Sequence, residues 1–109
     1  MSQLKNPEVN ELVPSEFYLG QNYPNPFKEK TIIKYCLAYK TKVLITVFNS
    51  KGELIDKLVD EEKDAGTYDV EFNSYVKHSG ESQNLAEGEY YYKIKAGNYT
   101  SVKKMVLLK

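Results

Sequence analysis

The chain has 109 residues, 41% of them hydrophobic, and balances fifteen lysines against fifteen acidic residues with no arginine. That length admits one domain around one core, and the apolar content is too high for a disordered tail. Zero net charge supplies no field toward nucleic acid or an anionic bilayer. The absence of arginine also removes the usual bidentate reader of phosphates and base edges.

Residues 1–16 are polar and lack a stable period. They read as a tether over 1–13, with Leu12 and Val13 as points of contact, ahead of a domain at 14–109. Phe17-Tyr18-Leu19 is a short first strand. Thr31 to Leu37 alternates with period two and places Ile33, Tyr35 and Leu37 on one face. Lys42 to Phe48 follows with Val43, Ile45 and Val47 inward. Asn49-Ser50-Lys51-Gly52 closes a hairpin onto a returning strand, Leu54 to Val59.

The run Asp60-Glu61-Glu62-Lys63-Asp64-Ala65-Gly66 reads as a charged loop. Beyond it, Thr67 to Phe72 turns Tyr68, Val70 and Phe72 inward. Residues 73–88 form the longest irregular segment, with Leu85-Ala86 returning to the core. Glu89 to Ala96 carries Tyr90, Tyr92 and Ile94 on one face and Tyr91, Lys93 and Lys95 on the other. Gly97-Asn98 turns the chain into a last strand, Tyr99 to Leu108. About seven short strands, regular turn signals and no helical period predict an all-β fold, a two-sheet antiparallel sandwich. A small barrel is the alternative.

Side-chain chemistry points away from catalysis. Cys36 is the single cysteine and lies in a strand, so it reads as a buried, inert thiol. His78 is the single histidine, in a polar segment without a fixed partner. One Cys and one His fall short of a structural zinc set. The acidic run 60–64 lacks the grammar of a dedicated calcium loop and reads as solvated charge. Neither an enzyme nor a cofactor is expected. No stretch approaches the 18 apolar residues of a membrane-spanning helix. The first residues lack the apolar core of a signal peptide.

Two segments stand out. Asn22-Tyr23-Pro24-Asn25-Pro26-Phe27 holds two prolines, which fix φ and lack N–H groups. Each proline pushes its predecessor toward extended geometry, and the asparagines can bond backbone groups left without ladder partners. The stretch therefore reads as a stiff structural corner, with Phe27 plugging one end of the sandwich. The second segment, Lys103-Lys104-Met105-Val106-Leu107-Leu108-Lys109, carries strand-forming apolar residues to the last position. It is either an integrated strand or an edge that a partner can read by strand addition.

These segments and the order of signals between them carry a resemblance. The matching pieces are FYLGQNYPNPF at 17–27, TIIKYCL at 31–37, VLITVFNSKGELIDKLV at 43–59 and AGTYDVEFN at 65–73. LAEGEYYYKIKAG at 85–97 and KKMVLLK at 103–109 complete the set. The chain resembles the type A C-terminal sorting domains of the type IX (Por) secretion system of Bacteroidetes and their relatives. That resemblance implies a non-catalytic Ig-like module behind a cargo domain, passed through the outer-membrane translocon and cut off by a sortase-like peptidase upstream of about Ser15. It implies a secreted or cell-surface destination reached through the periplasm, with a signal peptide on the full precursor. It also points to Lys103–Lys109 as the part read by the machinery, and to Asn22–Phe27 as a structural family marker. The alternative is an Ig-like adhesion or assembly module on a secreted protein. Lys28-Glu29 and Asn49 stand where the family often has Asn-Pro and Asp, which predicts looser turns there.

Overall fold

Alternation of apolar and polar residues, as over Thr31–Leu37, Thr67–Phe72 and Glu89–Ala96, leaves a strand one face to bury, and such faces are covered most simply by a second sheet. The computed structural model describes residues 14–78 and 81–109, with side chains over 14–75 and 84–109. Among the described residues nine strands run in chain order: β1 (Tyr18–Leu19), β2 (Lys30–Leu37), β3 (Thr41–Asn49), β4 (Leu54–Lys63), β5 (Gly66–Asn73), β6 (Tyr75–His78), β7 (Glu81–Asn84), β8 (Gly88–Ala96) and β9 (Tyr99–Leu107). One sheet has the order β1-β2-β5 and the other β4-β3-β8-β9, while β6 and β7 pair only with each other. Every strand pair is antiparallel. Two antiparallel sheets facing one another are the sandwich that the strand pattern predicts, and this split of strands between them is Ig-like, as the resemblance implies.

The core lies between the two sheets. Ile33, Tyr35, Leu37 and Phe72 enter it from the three-stranded sheet, and Val43, Ile45, Val47, Tyr92, Ile94, Met105 and Leu107 from the four-stranded one. All the inward phases expected for β2, β3 and β8 hold. On β5, an edge strand, Phe72 is buried while Tyr68 and Val70 are half-buried against the core. The Tyr35 and Tyr68 rings stack at 5.3 Å, joining β2 to β5.

Four expectations need correction. The acidic run is not a loop: β4 continues to Lys63, because β3 begins at Thr41 and pairs with it throughout, Thr41 opposite Lys63. Successive side chains of the run point to opposite faces of the strand, and Lys63 sits with its ammonium 4.7 Å from the centre of the Tyr68 ring. The segment 73–88 is not irregular throughout, since β6 and β7 pair there, raising the strand number among the described residues to nine. Cys36 is half-exposed rather than buried; lying between inward Tyr35 and Leu37, it must point outward, where its Sγ lies 3.6 Å from Thr67 Oγ1. The turn at Asn49 is tight, not loose. The Asn49 carboxamide oxygen accepts from the backbone N–H of Lys51 and of Glu53, each at 2.9 Å. Leu12, Val13 and the His78 side chain lie outside the described residues.

The pairing of β3 with β4 shifts register twice, between Ile45 and Thr46 and between Val47 and Phe48. Such bulges bend and twist a strand, and here they leave Ile55 and Leu58 half-buried against the core.

Two buried tyrosines make stability depend on alkaline pH. Burial pushes the Tyr35 hydroxyl up to about 12, helped by Tyr68 and the charge of Glu61. Burial likewise raises Tyr92 to about 12, against the opposing hydrogen bond from the Asn22 backbone. In the unfolded chain each ionises near 10, so the unfolded state sheds protons first as pH rises. The stability held at lower pH should therefore decline between about pH 10 and 12, by roughly 2–3 kcal/mol per tyrosine. Urea unfolding at about pH 9 and about pH 11.5 measures this, and equal free energies would contradict the burial of both hydroxyls.

Candidate functional site

The Asn-Pro corner and the last strand, about 80 residues apart in sequence, meet at one sheet edge. β9 ends the four-stranded sheet, with β8 on one side. On its other side, the Phe27 backbone N–H donates to Val106 O at 2.9 Å, and Leu108 N–H donates to Phe27 O at 2.8 Å. Phe27 and Leu107 thereby form a parallel bridge. The Val106 N–H donates to Asn25 Oδ1 at 2.9 Å, and Gln21 Nε2 donates to Lys104 O at 2.8 Å. The prolines that cannot extend a ladder thus present a neighbouring carboxamide and a backbone to an exposed edge that needs both.

Inside the corner a polar network replaces the missing ladder. Both X-Pro bonds, Tyr23-Pro24 and Asn25-Pro26, are cis. Asn22 is 2% exposed, and its Nδ2 donates to Thr31 Oγ1 at 3.0 Å and to Pro24 O at 3.2 Å. Thr31 Oγ1 donates to Pro24 O at 2.8 Å. From the opposite sheet, the Tyr92 hydroxyl donates to Gly20 O at 2.6 Å and accepts from Asn22 N–H at 2.8 Å. Buried polar groups are tolerated only when paired in this way. The corner also joins the three-stranded sheet, where Tyr23 and Ile32 exchange backbone hydrogen bonds at 2.9 Å.

The six corner residues divide by exposure. Asn22 and Phe27 are buried, and the Phe27 ring meets Phe72 edge-on at 6.0 Å, where a plug for the sandwich end is expected. Pro24, Asn25 and Pro26 are exposed, and Tyr23 stands 80% exposed. The C-terminal seven divide by parity. Met105 and Leu107 are fully buried, and Lys103 and Val106 are half-buried. Lys104, Leu108 and Lys109 face outward. Lys104 pairs with Glu89 at 3.5 Å, and the Lys109 N–H donates to Glu87 Oε1 at 3.0 Å.

Gln21, Thr31, Tyr92 and Glu87 belong to this edge but do not stand out in the sequence. Thr31 had a signal: it shares the inward parity of Ile33, Tyr35 and Leu37, and a polar residue at an inward position needs a partner. The hydroxyl of inward Tyr92 carries the same implication. Nothing local marks Gln21 or Glu87.

Among the described residues no group of three or more His, Cys, Asp or Glu side chains is placed to hold a metal ion. No curated protein matches the chain significantly. A family model does match: that of the secretion-system C-terminal sorting domain, over residues 21–108. The match begins at Gln21, enters the corner and ends at Leu108, and so spans both halves of the edge. The chain belongs to the family of C-terminal sorting domains of the type IX (Por) secretion system.

Proposed function

We propose that residues 14–109 are a non-catalytic address that directs an attached cargo through the type IX translocon across the outer membrane. The element read by the machinery is the folded C-terminal edge, with Lys104, Leu108 and Lys109 as the outward side chains of the Lys103–Lys109 motif. The observation that carries this reading is the convergence of corner and last strand, which holds that edge in one shape. Reading the motif as a detached strand would uncover Met105 and Leu107, both fully buried. That costs roughly 1.5–3 kcal/mol for each side chain before any contact with a partner.

The cargo lies on the N-terminal side, and a sortase-like peptidase separates it upstream of about Ser15, ahead of the first core residues. The destination is the cell surface or the medium, reached from the periplasm after export by a signal peptide on the full precursor. The test is a fusion of a signal peptide and a reporter to residues 14–109, expressed in a type IX-competent bacterium. The reporter is expected outside the cell, and in the periplasm once Lys103–Lys109 are removed. Retention with both fusions alike would overturn the proposal and favour an adhesion or assembly module.

A further inference from the structure

The two outer faces of the sandwich differ in charge. On the three-stranded sheet the lysines are matched, Lys30 with Glu71 at 3.9 Å and Lys34 with Asp69 at 3.5 Å. The four-stranded sheet instead carries a trough of two adjoining hollows, about 550 and 380 Å³, which share Leu44, Lys57 and Lys95. Its lining includes Leu44, Thr46 and Phe48, at alternate positions on β3, with Leu54 of β4 beside Phe48. Leu54 is 54% exposed. Four lysines, Lys42, Lys57, Lys93 and Lys95, line the trough against a single carboxylate, Asp60. Asp60 is already taken: Lys57 and Lys42 approach it at 3.4 and 3.5 Å. Neither Lys93 nor Lys95 meets a carboxylate among the described residues.

We propose that this trough docks an acidic amphipathic segment of a partner protein. Its apolar side chains cover Leu44, Phe48 and Leu54, and its carboxylates meet Lys93 and Lys95. Charge complementarity sets the sign of the partner, since the unmatched lysines would repel a basic segment. Concavity sets its form. The apolar groups and the lysines line the same two hollows, so a segment that enters them meets both at once, whereas a flat bilayer cannot follow the concave surface. The trough lies on a sheet face, away from the corner-capped edge of β9, so it is a second contact surface beside the proposed address.

The test uses the whole chain and a fluorescent peptide with leucines at helical spacing and glutamates elsewhere. A counterpart with lysine for glutamate and vesicles of anionic phospholipid are the comparisons. The acidic peptide should bind, and binding should fall at least about tenfold between about 0.05 and 0.5 M salt. Lys93→Glu with Lys95→Glu should weaken it by at least about tenfold, with the melting temperature unchanged. Lys93→Gln with Lys95→Gln is the milder second variant, and the salt series on the unaltered chain decides should both fail to fold. The proposal is overturned if the acidic peptide does not bind, if it binds the folded variants equally, if its binding ignores salt, or if vesicles bind in its place.

Discussion

Tyr92→Ala is expected to lower the unfolding free energy by about 3–5 kcal/mol, the range for removing a large, fully buried aromatic side chain. The Tyr92 ring lies on the inner face of β8, with no exposed surface. Its loss leaves a cavity between the sheets. It also strips a partner from Gly20 O and from the Asn22 N–H, both bonded to the hydroxyl across the sandwich. Small domains hold only about 5–15 kcal/mol, so this one substitution removes a large fraction of the total. Tyr92→Phe separates the parts, because it keeps the ring and should cost about 1–3 kcal/mol for the two orphaned groups. Urea unfolding of both variants provides the comparison. An alanine variant as stable as the parent would mean that β8 turns its other face to the core.

Phe27→Ala should cost about 3–5 kcal/mol on the same grounds, and its effect should reach the C-terminus. The ring anchors the corner beside Phe72, while the backbone of the same residue straps Val106 and Leu108. With the anchor gone, amide hydrogen exchange should quicken at Val106 and Leu108, which bond to the corner, more than at Met105. Met105 stands opposite Tyr90 on β8, and its alternation with Val106 turns its N–H toward that strand. Equal protection at Val106 in the variant and the parent would show that the corner does not hold the edge.

These two residues also mark how far the sequence could be read. The parity of β2, β3 and β8 was plain, because Ile33, Tyr35 and Leu37, or Tyr90, Tyr92 and Ile94, alternate with polar residues on one buried face. The same parity turns Cys36 outward, although its hydrophobic character suggests burial. Asp60, Glu61 and Glu62 read locally as loop, yet pairing with β3 carries β4 to Lys63 and overrides that preference. The pairing of β6 with β7 carries no such signal, because Glu81-Ser82-Gln83-Asn84 has no apolar alternation to announce a strand.

That the prolines interrupt the ladder is legible in the sequence, and so is the inward Phe27, which is buried against Phe72. The corner's partner is not. The bonds from Asn25 and Phe27 to Val106 join residues about 80 positions apart, and no local pattern encodes such a pairing. The structure places the conspicuous front motif and the proposed signal side by side. It also divides the signal into a buried pair, Met105 and Leu107, and an outward set.

That division gives the most direct measurement. Residues 14–109 are fused behind a signal peptide and reporter in a type IX-competent bacterium, with Lys104→Glu, Leu108→Ser and Lys109→Glu introduced together. All three side chains face outward, so the variant should fold and melt like the parent. Its reporter is expected to remain in the periplasm, while a fusion carrying the buried, volume-conserving change Met105→Leu is exported. Export of the outward triple variant at the parental level would contradict the assignment of the folded C-terminal edge as the address.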